Sequence, residues 1–181
     1  VFMPPRHGKS MTSSELFPAW FLGRNPQAGV ICCSYGQELA DDFGRRVRNQ
    51  LRDEQYRAVF PESALRDDST SVRRFHTVSG GSYYAAGVGG AITGRGADLL
   101  LIDDPVKSRT DADSPVKRQQ TFEWYTSTAY TRLAPGGAVV LIQTRWHPDD
   151  LGGRLLRDHA EDGWEVLDMP AVGDSGALWP Q

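Results

Sequence analysis

Unbroken apolar runs alternate along the chain with segments whose apolar residues recur every four positions, and the two patterns predict strands and helices in turn. Val1-Phe2-Met3 reads as the end of a buried strand, residues 4–10 as a loop, and residues 11–22 as the helix which that loop opens, closed by Gly23. The run Val30-Ile31-Cys32-Cys33, inside residues 29–34, suits a strand covered on both faces. Over residues 37–53, Leu39, Phe43, Val47 and Leu51 lie among Asp41, Arg45, Arg48 and Arg52, the narrow apolar stripe of a surface helix. After a polar, turn-rich stretch, residues 72–78 and 82–88 form two strands joined by a Gly80-Gly81 turn. Five of the ten positions 87–96 are glycine, which predicts a mobile or closely packed loop. Leu99-Leu100-Leu101-Ile102 is a second unbroken apolar strand, and it ends in the carboxylates Asp103 and Asp104. Asp113 or Ser114 can cap, and Pro115 can open, a helix to about residue 133. Pro135-Gly136-Gly137 then turns into a strand over 138–144, followed by a short helix over 148–158 and a last strand over 164–169.

Strands alternating with helices imply an α/β fold, a mostly parallel sheet with helices on both faces. Ligands of such sheets bind at the carboxyl ends of the strands, where both the loop 4–10 and Asp103-Asp104 fall. The chain's 181 residues, 39% of them hydrophobic, suffice for one domain with a real core. Only three residues precede the loop, fewer than a strand feeding it needs, so residues upstream are expected. With 23 acidic against 20 basic residues, no global basic field points to nucleic acid, although a local patch remains open. Cys32 and Cys33 are neighbours that point to opposite faces of a strand, which predicts plain core and no disulfide. No apolar stretch reaches the roughly 20 residues of a membrane span, and no signal peptide is visible, so the chain reads as soluble and unsecreted.

Gly8-Lys9-Ser10, between an apolar strand and a helical pattern, has the chemistry of a nucleotide-phosphate loop. In that reading the backbone of Pro5, Arg6, His7 and Gly8 curls around phosphates, Lys9 reaches their oxygens, and Ser10 ligates Mg²⁺ at the helix N-terminus. Met3 stands where the usual pattern has glycine. Asp103 then serves as the metal carboxylate and Asp104 as the base that polarises the attacking water, unless the pair merely caps the next turn. Arg6 either reaches the γ-phosphate or lies on the surface, and Arg95 is either a finger offered to a neighbouring subunit or a solvated loop arginine. Gln143 and Thr144 end the strand nearest the loop, where they can sense the γ-phosphate or simply satisfy backbone. His7, His76, His147 and His159 lack a zinc spacing. Trp20, Trp124 and Trp146 are assigned to the core, with contact between nucleic acid and Trp124-Tyr125 plus Arg132 as the alternative.

Three segments together resemble the large terminase subunit of tailed bacteriophages: residues 3–10 (MPPRHGKS), Thr93-Gly94-Arg95-Gly96-Ala97 leading to Leu100-Leu101-Ile102-Asp103-Asp104-Pro105, and Gln143-Thr144-Arg145-Trp146-His147. The resemblance implies a three-layer P-loop NTPase fold of the additional-strand class and an Mg²⁺-dependent ATPase that drives double-stranded DNA into a procapsid. It implies a homo-oligomeric ring on the portal protein, a small terminase subunit as partner, no membrane, and a place in the bacterial host's cytoplasm. By the same resemblance Arg6, Lys9, Ser10, Asp103 and Asp104 match the family's loop and acidic strand, Gln143 to Arg145 match its coupling motif, and Arg95 gains weight as an arginine finger. Family members usually carry glutamate where Asp104 stands. The family's adenine-contacting segment and its C-terminal nuclease are not in this sequence, so a partial ATPase domain over 1–181 that does not cut DNA is expected. A helicase-type DNA-dependent ATPase and an inactive prophage remnant are the competing readings.

Overall fold

The computed structural model describes residues 1–92, 94–173 and 176–178; Thr93, the first residue of the glycine-arginine motif, lies outside them. Its centre is a five-stranded sheet of β1 (Gly29–Ser34), β2 (Arg74–His76), β3 (Ser82–Gly87), β4 (Ala97–Asp103) and β5 (Leu133–Ile142), in the order β2-β3-β1-β4-β5. β1 runs parallel to both β3 and β4, and β4 parallel to β5, while β2 is an antiparallel edge strand on β3. Phe2 continues the sheet beyond β5, bridging in parallel to Gln143 and to Asp168. The segment holding the loop thus sits beside β5, with β5 between it and the acidic strand β4.

Strand alternation divides the core in two. Val30, Cys32, Leu99 and Leu101 face a cluster with Ala19 and Leu22, from α1 (Phe17–Arg24), and Phe43, Val47 and Leu51, from α2 (Gln37–Arg52). Ile31, Cys33, Leu100 and Ile102 face the other side. There they meet Trp124, from a helix over Pro115–Trp124, and Leu151 and Leu155, from one over Leu151–Asp158. Covered on both faces, these strands need the unbroken apolar runs that the sequence carries. Burial pushes the Cys32 thiol up to about 12 and raises that of Cys33 as well, so both act as small apolar side chains and neither is in a disulfide.

Several predicted elements differ in detail. The helix after the loop is π-helical over Met11–Leu16 before it becomes α1, and it does not stop at Gly23. That glycine makes room for the Phe60 ring, which a Cβ would meet at 2.6 Å. A further helix, α3 (Glu54–Val59), buries no residue and is started by the Asp53 carboxylate, which accepts from the N–H groups of Gln55 and Tyr56. The β2-β3 connection spans residues 77–81 rather than two glycines, with Thr77 Oγ1 accepting from the Gly81 N–H at 2.8 Å. Within the polar stretch before Ser114 lies α4 (Arg109–Asp113), capped by Ser108. α5 (Pro115–Trp124), capped by Ser114, runs on through a π turn (Tyr125–Ala129) and a 3-10 turn (Tyr130–Arg132). The Pro135-Gly136-Gly137 turn sits inside β5: Ala97 faces Leu133 while Leu99 faces Ala138, so residues 134–137 loop out around Asp98. α6 (Leu151–Asp158) follows, capped by Asp150. The expected strand over 164–169 reduces to the bridge at Asp168, flanked by Phe2 N–H to Leu167 C=O and Met169 N–H to Phe2 C=O bonds. Two two-residue strands, β6 (Val172–Gly173) and β7 (Gly176–Ala177), pair antiparallel.

Asp149 ties α5 to α6 by accepting from Arg118, Arg154 and Arg157, and these guanidiniums, Arg154 foremost, hold its carboxyl at about 2 against an ordinary 3.8. A folded pKa below the unfolded one means stability present above about pH 4 and lost as pH falls toward about 2. Asp149→Asn is expected to cost about 1 kcal/mol at pH 7, and urea titrations should show that cost shrinking as pH falls through this window. In α2, Gly44 lies against the Val72 carbonyl, where a Cβ has no room. Gly44→Ala, favourable in an open helix, should here destabilise by about 1–3 kcal/mol in the same assay.

Candidate functional site

The loop over residues 4–10 leaves the Phe2 bridge at the carboxyl end of the sheet and curls tightly, with left-handed backbone at Arg6 (φ 64°) and Gly8 (φ 88°). The helix takes over at once, the Thr12 N–H donating to the Gly8 carbonyl at 2.9 Å. This geometry turns Lys9 inward, to 7% exposure. Its ammonium donates to Asp104 Oδ1 at 2.7 Å, to Asp104 Oδ2 at 2.6 Å and to Thr144 Oγ1 at 2.7 Å, filling its three donor positions. Asp104 is itself left-handed (φ 43°), a conformation that a short aspartate tolerates better than most residues. Its Oδ1 also accepts from the Thr144 N–H at 2.9 Å.

Asp103, the last residue of β4, is 1% exposed. Ser14, fully buried in the π-helical turn, donates to its Oδ2 at 2.6 Å, whereas Oδ1 has no partner among the described residues. Burial raises the Asp103 pKa, opposed chiefly by Ser14, with Ser10 and Lys9 also favouring the charged form and Asp104 disfavouring it. A buried carboxylate with an unused oxygen beside a serine at a helix start fits a divalent cation that draws its remaining ligands from phosphates and water. No cluster of three or more His, Cys, Asp or Glu suits a metal among the described residues, so a cation held by the protein alone finds no cage here. Ser14 was not singled out from the sequence; its signal is the four-residue spacing from Ser10, which puts both hydroxyls on one helix face.

The other expected residues spread more widely. Thr144 joins Lys9, but Gln143, 3% exposed, points its amide nitrogen toward Gly152 of α6, where a Cβ would meet it at 2.9 Å. Asp104, Gln143, Thr144 and Trp146 nonetheless line one small cleft. Arg6 is exposed, Pro5 accepts through its carbonyl from His7 Nδ1 at 2.8 Å, and Arg95 stacks over the Tyr84 ring at 4.1 Å, away from Lys9. Arg145 pairs with Asp150, the cap of α6, at 2.8 Å. Of the tryptophans assigned to the core only Trp124 is buried; Trp20 is 52% exposed, on the outer side of α1, and Trp146 is 36% exposed. Trp124 and Tyr125 are both buried, so they present no stacking surface to nucleic acid.

Residues 1–175 match the family model described as terminase large subunit, T4likevirus-type, N-terminal. No curated protein matches the chain. Among solved structures, the large terminase of bacteriophage HK97 is similar in fold, with a TM-score of 0.56 at 13% sequence identity, over 90% of this chain and 32% of that one. This chain therefore spans about a third of the length of that terminase. Among the described residues no helix is long and apolar enough to cross a membrane.

The contact between Lys9 and Asp104 makes a measurable demand. In a double-mutant cycle of Lys9→Met and Asp104→Asn without nucleotide, denaturation should give a coupling of about 1–2 kcal/mol, and a coupling near zero would show that the pair is not formed in solution.

Proposed function

Because the chain belongs to the T4-like terminase large-subunit family, in its N-terminal part, we propose that it is a P-loop ATPase domain of the additional-strand class, working on Mg-ATP in a motor that moves double-stranded viral DNA. The observation that carries this reading is the convergence of Lys9, Asp104, Thr144 and Asp103 where the loop and the ends of β4 and β5 meet. A buried lysine at the start of a helix, facing two strand-end carboxylates, is the arrangement that phosphoryl transfer needs.

In this reading Pro5, Arg6, His7 and Gly8 wrap the phosphates. Lys9 leaves Asp104 for the β- and γ-phosphate oxygens. Asp104, relieved of the ammonium, accepts the proton of the attacking water, one methylene further back than a glutamate would. Asp103 and Ser10 are the residues that would hold Mg²⁺, which would supply charge neutralisation during phosphoryl transfer. Arg6, exposed on the loop, is the guanidinium that would reach the γ-phosphate in this reading. Arg95 would have to leave Tyr84 to act, either here or at the site of a neighbouring copy. Thr144, bonded to Lys9 and through its N–H to Asp104, is the group that registers whether the lysine is engaged. The wider role, in a ring on a portal protein with a small terminase subunit in the host cytoplasm, is proposed from the family and not from the geometry.

Steady-state ATP turnover by the chain, alone and with linear duplex DNA and portal, tests this. Lys9→Ala should lower turnover at least about 100-fold, and Asp104→Asn should do the same while nucleotide binding persists. Turnover that is indifferent to Lys9, or none under any condition, would overturn the active-motor reading.

A further inference from the structure

Asp103 is held by a side chain that the nucleotide reading does not use. Ser14 is fully buried, and its hydroxyl donates to Asp103 Oδ2 at 2.6 Å. A serine has one proton to give, so this bond commits it to that oxygen. The carboxylate is left with a second oxygen, Oδ1, which is buried and has no partner among the described residues. The helix turn that carries Ser14 is π-helical, closed by the Phe17 N–H donating to the Thr12 carbonyl, and turns of this kind recur at functional sites. Glu15, the next residue, pairs with Arg46 of α2, and the Gln50 side chain donates to the Glu15 carbonyl at 3.3 Å, so the turn is pinned from outside.

Resting on the Mg-ATP reading, we propose that Ser14 is a positioning residue for the divalent cation: by fixing Asp103 Oδ2 it sets the carboxylate's rotamer and reserves Oδ1 for the metal or its water. Ser10 and Ser14 then divide the work along one helix face. Ser10 would meet the cation, and Ser14 would orient the carboxylate that holds it. Partners of this kind behind a metal ligand typically change metal affinity by about 10–100-fold when removed.

The probe is Mn²⁺, whose free concentration is read by electron paramagnetic resonance in the presence of a non-hydrolysable ATP analogue, with the whole chain. Ser14→Ala should raise half-saturating Mn²⁺ about 10-fold, while affinity for the analogue in EDTA stays within about twofold of the original chain. Ser14→Cys fills the same space with a weak donor and should behave like the alanine variant, which keeps the test alive if Ser14→Ala fails to fold. Unchanged Mn²⁺ affinity in both variants overturns the proposal and leaves the nucleotide reading standing. Equal losses with and without metal assign Ser14 to folding alone and overturn it too. An original chain that binds no analogue, with or without Mn²⁺, overturns both readings together.

Discussion

An ammonium group 7% exposed at the edge of a sheet loses much of its hydration, and only an anionic neighbour at hydrogen-bond distance offsets that loss. Lys9 finds one in Asp104, which in turn is fixed from three sides. Its N–H donates to the Ile142 carbonyl at 2.8 Å, its carbonyl accepts from the Tyr35 N–H at 3.2 Å, and its carboxylate accepts from Thr144. The ends of β1, β4 and β5 are therefore set in register around a single charge pair. The left-handed turn at Asp104 is part of the same constraint, since it brings the carboxylate back over the strand end.

The strands were legible because burial on both faces requires runs such as Val30 to Cys33 and Leu99 to Ile102, which few other structures demand. Asp103 and Asp104 were legible for a related reason, since charged residues at the end of such a run need a use or a partner, whereas Lys9 was marked by the Gly8-Lys9-Ser10 motif between a strand and a helix. The π turn was not, because six residues do not separate a π spacing from an α one. Ser14 was hidden with it. Gly23 carried a stop signal that packing against Phe60 overrode. α3 has no fully buried residue and packs on the core through Tyr56 alone, so no apolar pattern could announce it, and only the Asp53 cap hints at it. Residues 164–169 have a strand's composition, but the two flanking hydrogen bonds to Phe2 allow only a bridge.

The sheet explains how a likeness of fold to the HK97 large terminase persists at 13% identity. Two apolar clusters, one on each face, tolerate substitution as long as volume and alternation are kept, while the polar residues at the strand ends are held to narrow geometry. Electrostatics adds a second contrast. Arg45, Arg46, Arg66, Arg73, Arg118, Arg145, Arg154 and Arg157 are all engaged with carboxylates. Much of the chain's basic charge is thus engaged internally and does not add up to a broad positive field.

Gln143 and Thr144 share one peptide plane yet look to opposite sides of the sheet, one against α6 and the other onto Lys9. Neighbouring residues of an extended segment project to opposite faces, so this one stretch of backbone serves both sides. Gly152 leaves no slack on the α6 side: a larger residue at that position would press on the Gln143 amide, which is 3% exposed. One strand end thus fastens two helices at once, the loop's helix through Lys9 on Thr144 and α6 through Gly152 on Gln143, so neither can shift without disturbing the other's seat.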